Sequence, residues 1–486
     1  MTSLPHNAWL GLILVFGAVM WVLAVRLADR RSSGTVEGYL VADRNVPWSW
    51  GAPSIAATWI WAPALFVSIQ KTYEFGLAGA FWFTAPNVLA LAIYCYLAPL
   101  IRRRIPKGIT LPGWILHRFK SKRLHSLYLV PYVWYQLMAV CVQLFVGGLM
   151  LQFVTGLPLL TLMSLMLIVT LTYSLRSGLR ASIVTDLIHM AMILIGLILV
   201  IPMLWVEAGS ETVRSGFNGV SKVSGIFDGS VAYSFGIVTS IGLLAGAISD
   251  QQYWQRAFSI EERDLKKAFF WGAILFGIVP ASLAIVGLIA ASPSAAIVPP
   301  PNTQLPMIGI AVIDKFLPDW ALVVFVLMLL AGLTSSLDSG LCAGASLYTV
   351  DIAGTKKGGV PDSELLGRSR IGMFVFAAVG LALAYAVQFL FSLDTLWWIF
   401  NGVASCFVVP TVLSMLWPRL TERGAFWGIV VSLAGMVVFV YANWVNNIDL
   451  IVFSAVGIVC GNALVCWLLR GPSGSAPEPR LADVGR

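Results

Sequence analysis

Residues 51–63 read Gly51-Ala-Pro-Ser-Ile-Ala-Ala-Thr-Trp-Ile-Trp-Ala-Pro63. The stretch carries no charge, is apolar enough for a bilayer interior, and holds two prolines ten residues apart. Proline has no backbone N–H and clashes with the carbonyl one turn before it, so a helix here loses hydrogen bonds midway. Lipid offers no water to replace them, and freed carbonyls at membrane depth are tolerated only where protein or a cavity covers them. Such carbonyls are ready cation ligands, as in transporters built on discontinuous helices. A simple proline kink would read the same on this feature alone.

The surrounding chain makes the setting a membrane. Of 486 residues, 58% are hydrophobic and 11% charged, with a mean hydropathy of +0.85. A soluble domain carries about 25% charged and about 45–50% apolar residues. A water-soluble enzyme of this length, a disordered chain and a nucleic-acid binder are therefore excluded. A hydrocarbon core ~30 Å thick needs roughly 20 apolar residues of helix. Thirteen stretches qualify: 8–26, 49–72, 76–101, 126–155, 157–175, 179–205, 233–258, 265–292, 319–350, 371–391, 392–417, 424–444 and 449–469. No basic residue precedes the first, and Arg26, Arg30 and Arg31 follow it, which reads as an uncleaved first helix. With the N-terminus outside and the C-terminus cytoplasmic, 27 of the 31 Lys and Arg fall in cytoplasmic segments. These include Lys356, Lys357, Arg480 and Arg486; only Lys71, Arg214, Lys222 and Lys315 lie outside. The net charge of +8 is thus a topology signal rather than a ligand signal.

The loops are short. The external segment 293–318, with Pro293, Pro299, Pro300 and Pro301, reads as a lid, an amphipathic helix or an ordinary structured loop. The tail 471–486 is too short to fold alone. Six cysteines sit in apolar runs without CxxC spacing, and the four histidines form no metal motif, so buried packing is the simpler reading.

Polar residues inside spans are costly unless paired or functional. In Ala331-Gly-Leu-Thr-Ser-Ser-Leu-Asp-Ser-Gly340, residues Gly332, Ser335, Ser336 and Ser339 share one helix face. Hydroxyls on one face suit a hard cation. A small-residue packing stripe is the alternative, although packing gains nothing from Asp338. Asp186, in Thr185-Asp-Leu-Ile-His189, and Asp250, in Asp250-Gln-Gln-Tyr-Trp-Gln-Arg256, are either functional acids or headgroup-level charges.

Taken in order, these segments resemble the sodium:solute symporter family. The resemblance runs from Glu37-Gly-Tyr-Leu-Val-Ala-Asp-Arg44 through Ser177-Gly-Leu-Arg-Ala181 and Asp250–Arg256 to Thr334–Ser339 and Tyr348-Thr-Val-Asp351. Thr58-Trp-Ile-Trp-Ala62, Tyr73–Trp82 and Leu396-Trp-Trp-Ile-Phe-Asn-Gly402 are most similar to its urea-permease branch. The resemblance implies an all-α polytopic protein of LeuT type, with two inverted five-helix repeats and a site at mid-membrane. As one transporter domain, 1–486, it divides into a leading helix 8–26, repeats 49–205 and 233–417, two further helices 424–469 and a short cytoplasmic tail. It also implies sodium ligands: the carbonyls of Ala57, Ile60 and Gly332 with the hydroxyls of Ser335 and Ser336. In some relatives a second cation site lies one turn beyond, which here would involve Asp186, Asp338 and Ser339 and hold a second Na+ or a proton.

The expected function is Na+-coupled uptake of a small polar solute across the plasma membrane, the inner membrane if the source is bacterial. No cofactor is expected beyond the coupling ion; the expected partners are the solute, Na+ or H+, and the lipid bilayer, with no nucleic acid. The favoured solute is urea or a similar amide. Proline, another amino acid, a carboxylate or a sugar is the alternative within the family. A channel would need rings of polar groups along a pore, and an enzyme would need a nucleophile–base or metal set that the chain does not offer. Trp59, Trp82, Asn87, Asp250, Gln252 and Asn401 are the groups expected near the solute, each also open to a packing role.

Overall fold

A computed structural model of the chain describes residues 5–27, 34–300, 302–354, 360–389 and 393–472. Arg30, Arg31, Pro301, Lys356, Lys357 and the tail from residue 473, with Arg480 and Arg486, lie outside the described residues. Among the described residues the chain is helical apart from loops and one isolated bridge between Val46 and Ile260. Helix is what a bilayer demands, because each backbone donor then finds its acceptor within its own segment.

Among the described residues, twelve helices are long and apolar enough to cross a membrane. One of them, Pro63–Arg104, spans 42 residues but doubles back at Gly76, where φ is +57°. An added Cβ at Gly79 would lie 1.9 Å from the Lys71 carbonyl oxygen. A straight helix would hold two residues eight apart at roughly 12 Å along its axis. The part before Gly76 completes a crossing begun by Trp48–Trp59, which at 12 residues is too short to span alone. The part after it is a separate crossing, and with that division the described helices match the predicted spans, of which 371–391 and 392–417 include residues 390–392, outside the described residues.

The helix Leu159–Ala208 folds in the same way at Gly178, with φ +57° and ψ −141°. Only glycine enters that region cheaply. A Cβ there would also meet the Tyr39 carbonyl oxygen at 2.3 Å.

Burial sorts the helices. The most apolar windows of Lys122–Thr155 and of Asp319–Ile352 are 72% and 78% buried, against 33% for the first and last spans. The Asp319–Leu347 helix packs against Leu159–Ala208, Lys122–Thr155 and Asp362–Val387, so its hydroxyl face points into protein. Two crossings are discontinuous. Trp48–Trp59 stops and resumes at Pro63–Val67; Ile237–Ser249 stops at Asp250 and resumes as Gln251–Ser259.

The positions of these breaks correct one expectation. Pro53 lies within Trp48–Trp59 without interrupting it. The carbonyl it fails to serve belongs to Ser49, an exposed residue at the start of the helix, where water is a partner. Of the two prolines, only Pro63 marks the break. In the external segment the helix Ile308–Phe316 forms, with Ile308, Ile310, Val312 and Ile313 buried. Gly309 lies against Ile69 of the resumed first crossing.

Replacing Gly178 with alanine forces a side chain into the glycine-only region and onto the Tyr39 carbonyl. Such strain costs of order 1–3 kcal/mol before any clash. The expected result is a lower melting temperature for the purified protein and a lower membrane yield. An unchanged melting temperature would mean that the chain does not turn at this residue.

Candidate functional site

The first discontinuous helix breaks after Trp59, where Ile60 takes φ −80° and ψ +65°. In a continuous helix the carbonyls of Thr58 and Trp59 would accept from the N–H groups of Ala62 and Pro63. Pro63 has no N–H. The Ala62 N–H is drawn away by Gln143 Oε1 of the Lys122–Thr155 helix, at 2.9 Å. Two carbonyls are left without their helical donors in a place that water does not reach freely.

The Asp319–Leu347 helix brings its hydroxyl face to this break. Ser336 Oγ lies 3.0 Å from the carbonyl oxygen of Thr58, 3.3 Å from that of Ile60 and 3.5 Å from that of Ala57. One turn earlier, Gly332 allows the close approach: an added Cβ would sit 3.1 Å from the Ile60 oxygen and 2.9 Å from Leu65 Cδ1. Ala57, Ile60, Gly332 and Ser336 therefore converge, joined by the Thr58 carbonyl, which sequence reading missed. Neutral oxygens of this kind suit a hard monovalent cation. Ser335 is the exception, because its Oγ donates to Asp186 Oδ1 at 2.5 Å.

The second cluster differs from expectation. Asp186 Oδ2 accepts from Ser54 Oγ at 2.6 Å and from Arg256 Nη2 at 2.9 Å. Arg256 also donates to Ser339 Oγ at 2.7 Å. Asp338 is elsewhere: its carboxylate accepts from Ser174 and lies 3.5 Å from Thr185 Oγ1 and 3.7 Å from Cys342 Sγ. The two acids share no hydrogen-bond partner among the described residues; it is Asp186 that Arg256 joins to Ser339. Helical geometry separates them: relative to position 335, position 338 lies about 60° to one side and position 339 about 40° to the other. Asp338 is fully buried, which also removes the reading of it as a solvated charge.

A cleft adjoins the sodium-type cluster. Its cavity is only about 10 Å³, room for about one water molecule, and is lined by Thr58, Trp59, Trp61, Tyr135, Ala139, Gln143, Asp250, Gln252, Ser336 and Phe400. Asp250 breaks the second discontinuous helix and caps it: its Oδ1 accepts from the Gln252 N–H at 2.9 Å and from Gln136 Nε2 at 3.0 Å. Asp250 Oδ2 accepts from Gln252 Nε2 at 3.1 Å.

These bonds orient the amides. Gln143 gives its oxygen to Ala62, leaving its NH2 free; Gln252 gives its NH2 to Asp250, leaving its oxygen free. Trp61 Nε1, Tyr135 OH, Gln143 Nε2 and Gln252 Oε1 are buried and have no hydrogen-bond partner among the described residues. Buried polar groups are nearly always paired, and these four belong to residues that line the cleft, where a water or a solute can pair them.

Of the predicted solute residues, Trp59, Asp250 and Gln252 line the cleft. Asn87 stands behind it, accepting from Trp59 Nε1 at 2.8 Å. Asn401 is beside it: a Cβ added to Gly246 would lie 2.9 Å from both Asn401 Oδ1 and Tyr135 OH. Trp82 is not part of it; its ring packs on Gly236 and Phe81. Sequence reading missed Trp61, Tyr135 and Gln143. The signal for the last two was present, as Tyr135, Gln136 and Gln143 are polar residues inside an apolar span.

The model of the sodium:solute symporter family matches residues 39–432. The chain belongs to this family. A probable urea active transporter of Schizosaccharomyces pombe is 24% identical over 86% of this chain and 67% of its own length. A urea-proton symporter of Oryza sativa is 23% identical over 90% and 67%. The sodium/glucose cotransporter of Vibrio parahaemolyticus is 26% identical over 86% and 82%. Among solved structures, a Na+-coupled sialic acid symporter in an outward-open state matches with a TM-score of 0.73 at 17% identity, covering 95% of this chain and 98% of the other. A nucleobase-cation symporter matches at 0.52 and 16% identity, over 92% and 96%. The symporter thus has the LeuT-type fold of these neighbours, in a multi-pass plasma-membrane protein. It is a transporter of the Na+-coupled class, with a solute and Na+ or H+ as its travelling partners.

In the symporter, Ser336→Ala removes the hydroxyl that faces three backbone carbonyls. The sodium concentration for half-maximal uptake should rise roughly tenfold, equivalent to ~1.4 kcal/mol. Ser335→Ala should shift it less, since that hydroxyl serves Asp186. Equal shifts in the two variants, measured by uptake at varied sodium, would overturn this assignment.

Proposed function

We propose that this chain imports a small neutral amide, urea foremost, together with Na+ bound at the carbonyls of Ala57, Thr58 and Ile60 and the Ser336 hydroxyl, and that it needs no cofactor beyond that ion. The observation that carries the reading is the set of four buried, unpartnered polar atoms in a small aromatic-walled cleft. Trp61 Nε1 and Gln143 Nε2 are donors for one carbonyl oxygen. Gln252 Oε1 and the Tyr135 oxygen are acceptors for amide N–H groups. Urea presents that complement on a flat frame, one acceptor and two donor faces, and Trp59, Trp61 and Phe400 offer apolar faces to it. The urea transporters among the relatives support the same substrate class.

A hexose, the solute named for other relatives, brings a hydroxyl on nearly every carbon. In this cleft several would lose water without gaining a partner, which is costly. Asp250 acts here as a positioning residue: it holds Gln252 in the orientation that leaves Oε1 free.

The test is uptake of labelled urea into proteoliposomes, with and without an inward sodium gradient, against unlabelled competitors. Concentrative urea uptake that needs the gradient, and that acetamide inhibits while glucose and proline do not, is the expected result. Gln252→Ala and Gln143→Ala should each raise KM for urea about tenfold, the scale of one or two hydrogen bonds at ~1 kcal/mol each. Accumulation of glucose or proline with no urea uptake would overturn the substrate assignment.

A further inference from the structure

Basic side chains at the ends of the crossings that the loop charges mark as cytoplasmic mostly serve the fold. Arg44 donates to the carbonyls of Lys107, Gly108 and Phe258 and pairs with Glu37. Arg102 donates to the carbonyls of Pro106 and Phe258. Arg180, just past the Gly178 turn, is not used in this way. Its Nη1 donates to Asn45 Oδ1 at 3.0 Å; its other N–H groups find no acceptor, and it pairs with no carboxylate, among the described residues.

Arg180 borders a cavity of about 260 Å³, whose other walls are Asn45, Val46, Pro47, Trp50 and Ile183. The solute cleft is far smaller, at about 10 Å³, and shares none of these residues. One wall is the loop that enters the Trp48–Trp59 helix together with that helix's first turn; the other is the segment after Gly178. The chemistry is sorted between them. Arg180 is half-buried and Asn45 exposed, and the bond between them takes the Asn45 oxygen, leaving its NH2 as a second donor beside the guanidinium. Val46 and Ile183 are buried and form an apolar floor. Trp50 is 38% exposed, an indole at the end of a span, where tryptophans meet the headgroup level of a bilayer.

A guanidinium with spare donors next to an amide NH2 suits a phosphate, through charge-assisted hydrogen bonds. Basic pockets between membrane helices on the cytoplasmic side bind anionic headgroups. A soluble anion would use the donors but neither the floor nor the indole. A zwitterionic headgroup would bring its own cation toward Arg180. We propose that this cavity seats one anionic phospholipid of the cytoplasmic leaflet, with its phosphate on Arg180 and Asn45 and the start of its acyl chains against Trp50 and Ile183. Touching both walls, the lipid holds the beginning of the Trp48–Trp59 helix, whose other end carries the Ala57 and Thr58 carbonyls, against the segment after Gly178.

The test uses the purified full chain, delipidated in detergent, with phosphatidylglycerol, phosphatidylcholine or inorganic phosphate added. Native mass spectrometry should show one phosphatidylglycerol retained per chain and no phosphatidylcholine, and only phosphatidylglycerol should raise the melting temperature. R180Q should weaken retention about fivefold, the scale of one basic group at a membrane surface. K122Q removes an exposed charge that does not line the cavity and should leave retention unchanged. Equal retention of phosphatidylcholine, or an equal loss in K122Q, would overturn the proposal. The same rise in melting temperature with inorganic phosphate would place a soluble anion there and overturn the lipid assignment. Phosphatidylglycerol with a photoreactive group near the glycerol tests the natural sequence directly, whatever the folding of R180Q. Its cross-links should map to the peptides containing Trp50 and Ile183, and labelling confined to other helices would overturn the site.

Discussion

In hydrocarbon a backbone carbonyl without a donor has no water to turn to, and the first discontinuous helix contains such carbonyls by construction. Pro63 supplies no N–H, and Gln143 removes the one from Ala62. Everything near the site answers that deficit. Gly332 lets the Asp319–Leu347 helix come close enough for Ser336 to face three of the oxygens. Each unsatisfied carbonyl buried without a partner would cost about 1–3 kcal/mol, so the break persists only because hydroxyls, and on the proposed reading a sodium ion, cover it.

The second discontinuous helix solves the same problem differently. Its break is closed by a side chain, Asp250, which caps the Gln251–Ser259 segment and accepts from Gln136. The first break offers oxygens to a cation; the second presents a fixed amide to the cleft. That asymmetry divides the labour between ion and solute, while Arg256 and Thr58 connect the two halves through a few hydrogen bonds. A change at one cluster must therefore be felt at the other.

Much of this was legible in the residues. The apolar runs and the alternation of basic loops determine the crossings, since lipid thickness and the positive-inside preference act on composition alone. The face formed by Gly332, Ser335, Ser336 and Ser339 follows from helical periodicity, and its meeting with Ala57 and Ile60 followed from the family resemblance. The limits are equally physical. Pro53 and Pro63 are the same residue type, yet only one breaks the helix, because the cost depends on whether the orphaned carbonyl is near water. Trp82 and Trp61 are both aromatic residues in or beside broken segments, and only packing decides which ring faces the cleft.

The sequence by itself determined a multi-pass helical membrane protein and the hydroxyl-bearing helix, because hydropathy and periodicity are local properties of a chain. Tertiary structure alone decided the pairing of charges. Asp186 and Asp338 looked alike as buried acids, but a turn of about 100° per residue sends Ser339 toward Arg256 and Asp186, and Asp338 toward Ser174. No local pattern reports that Arg256, seventy residues from Asp186 in the chain, pairs with it. Only the meeting of four helices brings that charge to its acid.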